Sequence, residues 1–273
     1  MLEGLEAEQG RRRAEIWGSR AAGPVLRAPP AAPDGGMSMV VRSIKILRDG
    51  HFEIDRGLMV YLKTAYYGQT YLAPIRPLLV RTSEGNMLVD TGLGEVGERL
   101  GRVYRVHRDS SLPDNLAAEG LGPGDISLVI NTHLHFDHAG RNSLFPHAEI
   151  FVQRREVDFA RSPPRFLRGG YIKEVIEAPN LRTIEGEREI VRGVSVIPTP
   201  GHTAGHQSVV IEAGDARYVY TGDASPVREN WESGVPCGIL LDPVAAAESL
   251  ARLKELNARP IFSHDDSQWS IDG

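Results

Sequence analysis

The segment from Asn131 to His138, NTHLHFDH, places four metal-binding side chains within six positions: His133, His135, Asp137 and His138. Imidazole and carboxylate groups are ligands for zinc, and they also suit iron, manganese and cobalt. On an extended segment alternate side chains project to the same side, so His133 and His135 are expected to point together. Asp137 and His138 begin a predicted helix and can point to a second position. One loop is therefore predicted to serve two metal ions.

Three later segments place further ligand types where an apolar run ends: TPGHTAGH with His202, YTGDAS with Asp223, and FSHD with His264. Strand ends are positions where a rigid scaffold presents functional loops. Each residue alone also has an ordinary structural explanation, since buried histidines are often hydrogen bonded and an aspartate after glycine suits a turn. Together with the first cluster, the three residues are predicted to complete one site that holds both metal ions.

The elements that must position these residues are short strands and helices. Strand patterns occur at 40–47, 51–54, 58–62, 74–82 and 86–92, and later at EIFVQ, REIVRGVSVIPT, HQSVVIEA, ARYVYTGD and RPIFSHD. Helical patterns cover 113–120, 137–145, 153–161 and the amphipathic segment that begins at Asp242 and Pro243, a cap followed by a first-turn proline. The tight turns in the first half predict antiparallel pairing. Two strand-rich halves, each followed by helices, predict an α/β fold with two stacked sheets and helices outside.

The composition is that of an ordinary globular protein, with 273 residues, 41% hydrophobic residues and a formal charge of −5. This charge gives no reason to expect nucleic acid or an acidic membrane as a partner. A single cysteine, Cys237, excludes an internal disulfide and favours a reducing compartment. Without a membrane-spanning apolar stretch or an apolar export signal, the chain is predicted to be cytoplasmic. Residues 1–36, rich in Arg, Ala, Pro and Gly, are predicted to form a flexible N-terminal extension.

The order of the motifs LVDTG, THLHFDHAG, PGHTAGH, TGDAS and SHD resembles the metallo-β-lactamase superfamily from about Val40 to His264. Within it, HLHFDHAGRN, PGHTAGHQS and DAS followed by ENWESGVP are most similar to the N-acyl homoserine lactonases, which act in quorum quenching. The resemblance implies a four-layer αββα sandwich and a hydrolase domain over residues 37–273. It also implies an enzyme that opens the lactone ring of N-acyl homoserine lactones.

The resemblance further implies two metal ions, with zinc as the expected metal. His133, His135 and His202 would hold one ion, Asp137, His138 and His264 would hold the other, and Asp223 would bridge them. Asp90 and His206 are expected to support these ligands without touching metal, as residues behind metal-bound histidines commonly do.

Charge accounting connects such a centre with hydrolysis. Two divalent cations bring four positive charges, whereas Asp137, Asp223 and a bridging hydroxide supply three negative ones, leaving about +1 to attract a developing oxyanion. Coordination can lower the pKa of water to about 7. The resulting hypothesis is that the hydroxide attacks the lactone carbonyl and that Asp137 or Asp223 passes a proton to the departing alkoxide.

One position departs from the family pattern, because the related lactonases carry a tyrosine three residues after the bridging aspartate, where this chain has Pro226. Either another group, such as a hydroxyl from the segment YYGQTY, reaches into the site in its place, or polarisation by the metal is sufficient. The predicted substrate-pocket residues are Tyr66, Tyr67, Tyr71, Phe136, Trp231 and Cys237. Each of these also has a packing explanation. A homodimer formed through the same aromatic region is implied by the resemblance alone.

Other functions use the same ligands. A promiscuous phosphotriesterase or aryl esterase is the strongest enzymatic alternative, because the same hydroxide would attack those centres. A mononuclear iron oxygenase is a second alternative, although the presence of both His138 and His264 favours two metals. A metal-bearing binding protein without catalytic activity is the third.

Overall fold

The computed structural model describes residues 40–94 and 104–268. The predicted extension over residues 1–36 lies outside these ranges. Strands β1 to β7 are Val41–Ile46, His51–Asp55, Thr70–Pro74, Leu78–Thr82, Asn86–Val89, Val106–His107 and Ile126–Ile130. Strands β8 to β14 are Glu149–Gln153, Leu181–Ile184, Arg188–Val191, Val194–Pro198, Gln207–Ala213, Ala216–Tyr220 and Arg259–Ile261. Helices α1 to α5 are Leu112–Ala118, Arg154–Arg161, Lys173–Ile176, Arg228–Ser233 and Pro243–Glu255.

The strands form two large sheets and one small one. The first sheet has the order β1-β4-β5-β7-β8-β9, the second has the order β10-β11-β12-β13-β14, and the small sheet has the order β3-β2-β6. The antiparallel pairing predicted for the first half holds for β1, β4 and β5, but the same sheet continues with parallel pairs from β5 to β9. Parallel neighbours need long crossover connections, and the helical segments between these strands provide them.

Alternating side chains assemble the layers. In β4, Leu78 and Val80 point into a core shared with Val196 and Val209 of the second sheet, whereas Leu79 points to the opposite face. That opposite face is covered by residues of α1, and the outer face of the second sheet is covered by α5. The order of layers is therefore helix, sheet, sheet, helix, which confirms the predicted four-layer αββα sandwich.

Two predicted elements are wrong. The apolar run 58–62 is not a strand, because the side chain of Asp55 caps a 3-10 helix at Arg56–Leu58 and the chain then turns. Residues 137–145 form turns and a short 3-10 helix instead of an α-helix. In that loop Gly140 packs so closely on the backbone of Gly94 that a Cβ atom would lie 2.2 Å from its nitrogen.

The predicted C-terminal helix is confirmed as α5. The side chain of Asp242 accepts hydrogen bonds from the backbone nitrogens of Val244 and Ala245, and Pro243 occupies the first turn. Within the described ranges, no helix has the length and apolar character that a bilayer crossing would require.

Candidate metal centre

The predicted ligands meet at one edge of the two large sheets because several strands end there. β5 and β7 are parallel neighbours, so Asp90 and the segment 131–138 follow them at the same edge. In the second sheet β11 and β13 both run antiparallel to β12, and β14 runs parallel to β13. His202, Asp223 and His264 therefore leave their strands in the same direction.

Three histidines form the first donor group. The Nδ1 atom of His135 lies 3.0 Å from Nε2 of His133 and 3.1 Å from Nε2 of His202. Their ligand atoms all lie within 4.8 Å of one another. His133 and His202 are buried, so these nitrogens face one another inside the protein.

Asp137, His138 and His264 form the second donor group. The Nε2 atoms of His138 and His264 are 3.2 Å apart, and Oδ2 of Asp137 lies 3.7 Å from the first and 3.6 Å from the second. All three side chains are buried. Two neighbouring residues of the 131–138 loop thus join a histidine from the chain's last described segment.

Asp223 lies between the two groups and faces each with a different oxygen. Its Oδ1 lies 3.3 Å from Nε2 of both His138 and His264, whereas its Oδ2 lies 3.3 Å from Nε2 of His202. The residue belongs to a buried 3-10 turn at Gly222–Ala224, and the Ser263 hydroxyl donates to Oδ1 at 2.9 Å. This arrangement allows one carboxylate to contact two cations.

The spacing of the donor atoms fits coordinated metal. Four ligands placed tetrahedrally at about 2.0–2.1 Å from a zinc ion would be about 3.3 Å apart. The nearest donor pairs within the two groups are separated by 3.0–3.7 Å. Because buried lone pairs that face one another are costly without a hydrogen bond or a cation, the arrangement favours a metal-binding role.

The outer nitrogens of three histidines are held by oxygen atoms. Nδ1 of His138 lies 2.7 Å from Oδ2 of Asp90, Nδ1 of His202 lies 2.6 Å from the carbonyl of Ile239, and Nδ1 of His264 lies 2.8 Å from the carbonyl of Pro74. An Nδ1–H that donates to such an oxygen leaves the lone pair on Nε2, which points into the centre.

Asp90, the first predicted supporting residue, contacts both a histidine of the second donor group and the start of the 131–138 loop. Besides contacting His138, its carboxylate accepts hydrogen bonds from the backbone nitrogen of Thr132 at 2.7 Å and from the Thr132 hydroxyl. Its φ angle is 59°, a left-handed conformation that is uncommon for residues other than glycine. The strained backbone is consistent with a role for the carboxylate in positioning the 131–138 loop.

Electrostatics differ across the centre. Burial and the neighbouring imidazoles lower the pKa of His133 and His135 well below its usual value, so both stay neutral. Burial also opposes protonation of His138, yet Asp223, Asp137 and Asp90 outweigh it and raise that pKa. Burial disfavours the Asp223 carboxylate, but His138, His264 and His202 stabilise it and lower its pKa. The carboxylates therefore favour positive charge at this point, whether a proton or a metal ion.

His206, the second predicted supporting residue, contacts the backbone next to Asp223. Its Nε2 accepts a hydrogen bond from the backbone nitrogen of Asp223 at 2.9 Å, and its Nδ1 lies 2.8 Å from the Thr199 hydroxyl. Burial lowers its pKa to about 3, which keeps the ring neutral and able to accept that bond. His206 is therefore placed to orient the turn that carries Asp223.

Sequence reasoning missed a buried carboxylate that joins two ligand loops. Oε1 of Glu156 accepts from the backbone nitrogen of Leu134 at 3.1 Å, and Oε2 accepts from the Thr203 hydroxyl at 2.6 Å and the Gly205 nitrogen at 3.1 Å. Burial raises the pKa of Glu156, and these hydrogen bonds act in the opposite direction. The only sequence signal was an acidic residue in the first turn of a predicted helix, which is normally a favourable surface position.

A cavity of about 300 Å³ opens onto five residues of the donor groups and their shared carboxylate: His135, Asp137, His202, Asp223 and His264. Two predicted pocket residues, Phe136 and Cys237, line it. Sequence reasoning missed Tyr104, which also lines the cavity and stacks on Phe136 with 5.4 Å between the ring centres. Burial and the charge of Asp137 raise the pKa of Tyr104, so its hydroxyl stays protonated.

The other predicted pocket residues lie elsewhere. Tyr66 and Tyr71 line a separate cavity of about 400 Å³, where the Tyr66 hydroxyl donates to Glu229. Tyr71 donates to the backbone carbonyl of His264 at 2.7 Å and so supports that residue from behind. Tyr67 lies against Gly57 and is 53% exposed, and Trp231 packs on the outer face of the second sheet. None of these four residues lines the cavity beside the donor groups.

Comparisons with known proteins agree with this geometry. The model of the Metallo-beta-lactamase superfamily matches residues 74–264. An N-acyl homoserine lactonase of Bacillus cereus is 35% identical over 248 residues, which cover 84% of this chain and 96% of that protein. The lactonase AttM of Rhizobium radiobacter is 29% identical, covering 74% of this chain and 86% of the relative.

Solved structures show the same similarity. A mutant of the AiiA protein of B. thuringiensis, with N-decanoyl-L-homoserine bound at its active site, superposes with a TM-score of 0.75 at 33% identity, covering 84% of this chain and 96% of that one. An N-acyl homoserine lactone hydrolase carrying the product N-hexanoyl-L-homoserine at its catalytic metal centre gives a TM-score of 0.73 at 33% identity, with the same coverage.

Proposed function

Because this chain belongs to the metallo-beta-lactamase superfamily, we propose that it is a metal-dependent hydrolase that opens the lactone ring of N-acyl homoserine lactones. The observation that carries the proposal is the pair of donor groups that share Asp223 on one wall of an otherwise largely apolar cavity. The relatives named as N-acyl homoserine lactonases support this substrate class. The biological consequence would be quorum quenching.

We assign one divalent cation to His133, His135 and His202 and a second to Asp137, His138 and His264, with Asp223 contacting both. Zinc is the proposed metal because it suits a set of imidazole and carboxylate ligands in a closed, near-tetrahedral arrangement. Cations bound there supply Lewis acidity toward the lactone carbonyl and lower the pKa of a coordinated water to about 7.

The chain's own side chains perform the proton transfers in this proposal. Asp137 lines the cavity and belongs to the second donor group, and we assign its carboxylate to the side on which the ring oxygen departs. Asp223 lies in the same cavity between the two groups. One of these carboxylates takes the proton from the attacking water and returns it to the ring oxygen as the carbon–oxygen bond breaks.

The cavity wall accounts for binding of the acyl part. The cavity around the donor groups is lined by the apolar side chains of Phe52, Ile54, Met59 and Ile239. An acyl chain bound against them would be removed from water, which favours binding. Pro226, which replaces the tyrosine of related lactonases, also lines the cavity but has no donor to offer. Among the described lining residues Tyr104 is the only tyrosine, and we assign it the orienting role in place of residue 226.

The direct test is a proton-release assay of the zinc-loaded protein on acyl homoserine lactones of several chain lengths, beside a phosphotriester and an aryl ester. The proposal expects the lactones to give the highest kcat/KM. It expects His135→Ala to abolish most of the activity, and Tyr104→Phe to lower kcat/KM for lactones by about tenfold, the effect of one lost hydrogen bond of about 1.4 kcal/mol.

His147→Ala is the matched control, because His147 lies on the same stretch of chain with an exposed side chain. This variant should retain wild-type activity. A clear preference for the phosphotriester or aryl ester would replace the lactonase assignment with one of those activities. Full activity of folded His135→Ala after metal removal would contradict the metal-dependent scheme itself.

A further inference from the structure

His264 reaches the second donor group from a segment with little regular structure of its own. The preceding strand β14 has only three residues, and the following residues up to Gln268 form bends and turns. Asp137 and His138, the other members of the group, come from the central loop that also carries His133. Closure of the second group therefore depends on what holds the segment 262–268 in place.

Arg76 supplies much of that support. Its Nη1 donates to the backbone carbonyls of Phe262, at 3.1 Å, and of Asp265, and its Nη2 donates to the carbonyl of Gln268. These three acceptors lie on both sides of His264 in the sequence. A planar guanidinium with several fixed donors is suited to binding several carbonyl groups at once, which a lysine ammonium on a flexible stem does less well.

The neighbours of Arg76 contact the same histidine. The carbonyl of Pro74 lies 2.8 Å from Nδ1 of His264, and the Tyr71 hydroxyl donates to the His264 carbonyl at 2.7 Å. The Tyr220 hydroxyl donates to the carbonyl of Arg76 at 3.0 Å and so fixes the backbone from which the guanidinium extends. The stretch 71–76 thus orients the ring, the backbone and the flanking carbonyls of His264.

The burial of Arg76 argues against a simple packing role. The residue is 2% exposed, and its Nε has no hydrogen-bond partner. Its guanidinium donates hydrogen bonds to backbone carbonyls, and burial lowers its pKa. An apolar residue of similar length would fill this space without the cost of removing a charge from water.

We infer that Arg76 is a positioning residue for the second metal ion: by holding the carbonyls around His264, it keeps that imidazole within coordinating distance of Asp137 and His138. The inference rests on the metal centre proposed above. It assigns no contact between Arg76 and the metal or the substrate. Loss of the guanidinium should therefore weaken the binding of the second metal, while the group formed by His133, His135 and His202 binds the first as in wild type.

The test compares wild type with Arg76→Met, Arg76→Lys and the control Arg81→Met. Arg81 also donates to a backbone carbonyl, that of Glu119 at 2.7 Å, but lies on β4 away from the donor groups. Zinc per chain is measured by elemental analysis across a series of metal buffers. The absorption spectrum during a cobalt titration follows the filling of the sites, and the thermal unfolding of each metal-free protein is recorded.

Arg76→Met should keep one metal at wild-type affinity and bind the second at least tenfold more weakly, the effect usual for groups that support a ligand from behind. Arg76→Lys should fall between it and wild type, and it decides the question if the methionine variant does not fold. Arg81→Met should bind two metals like wild type.

The inference would be overturned if a folded Arg76 variant bound both metals as tightly as wild type does. It would also be overturned if the variant bound both metals more weakly by the same factor. Wild-type protein that binds fewer than two metals would overturn the proposed centre as well. These outcomes differ, because the first two leave the dinuclear wild-type centre intact.

Discussion

The carboxylate of Asp90 lies 2.7 Å from Nδ1 of His138 and places the opposite nitrogen of that ring among the donor atoms of the second group. Asp90→Asn tests this relationship. Asparagine also tolerates the left-handed backbone, but its NH2 group would face either the ring N–H of His138 or the donors of Thr132, and two donors cannot form a hydrogen bond. We expect metal affinity to fall by about 10–100-fold. The free energy of unfolding of the metal-free protein should also fall, by about 1–3 kcal/mol, because a buried donor loses its acceptor. Isothermal titration with zinc measures the affinity, and unchanged binding would show that Asp90 does not orient His138.

Glu156→Gln tests the connection between the two loops that carry the first donor group. In the variant an NH2 group replaces one carboxylate oxygen and faces an N–H or O–H group whose hydrogen bond the glutamate accepts. A buried donor therefore loses its acceptor. The free energy of unfolding of the metal-free protein should fall by about 1–3 kcal/mol. The metal held by the histidine group should bind at least tenfold more weakly. If denaturant unfolding and metal titration both match wild type, the carboxylate has no such role.

The convergence of the residues that we propose as metal ligands could be predicted from the sequence, because each follows an apolar strand and strand ends converge at one edge of a sheet. Glu156 and Arg76 could not, because their partners are mainly backbone atoms of distant segments, and a backbone acceptor or donor leaves no mark on residue type. The layered sheets followed from the strand patterns. The helix predicted over 137–145 failed because the close approach of Gly140 to Gly94 is a tertiary contact that local propensity does not report.

His206→Gln tests the pH dependence expected from a buried neutral imidazole. The unfolded chain protonates this ring near pH 6.5, whereas in the folded protein burial lowers the pKa to about 3. Between these values the unfolded state binds more protons. His206 therefore lowers the free energy of unfolding as the pH falls from 6.5 toward 3. In a chelator, the free energy of unfolding should fall less steeply over this range in the variant than in wild type. His147→Gln, at an exposed position, should retain the wild-type slope. Parallel curves for wild type and His206→Gln would contradict the expectation.

Phe166→Ala tests the cavity rim. The Phe166 side chain lines the cavity and is 83% exposed, so a long acyl chain can cover a ring that otherwise faces water. Loss of an apolar contact of about 1 kcal/mol would raise KM by about fivefold for long-chain lactones. Short-chain lactones should keep their wild-type KM. Leu72→Ala removes another exposed apolar side chain, 51% exposed, and serves as the control. Equal effects on short and long chains would exclude an acyl-chain contact.

Anomalous X-ray scattering at the zinc absorption edge, from a crystal of the zinc-loaded protein, tests the central claim most directly. We expect two peaks about 3.5–4 Å apart, the usual separation in two-metal sites. One should lie among His133, His135 and His202 and the other among Asp137, His138 and His264, with an oxygen of Asp223 toward each. A single peak, or peaks away from these side chains, would contradict the dinuclear centre on which the proposed hydrolysis depends.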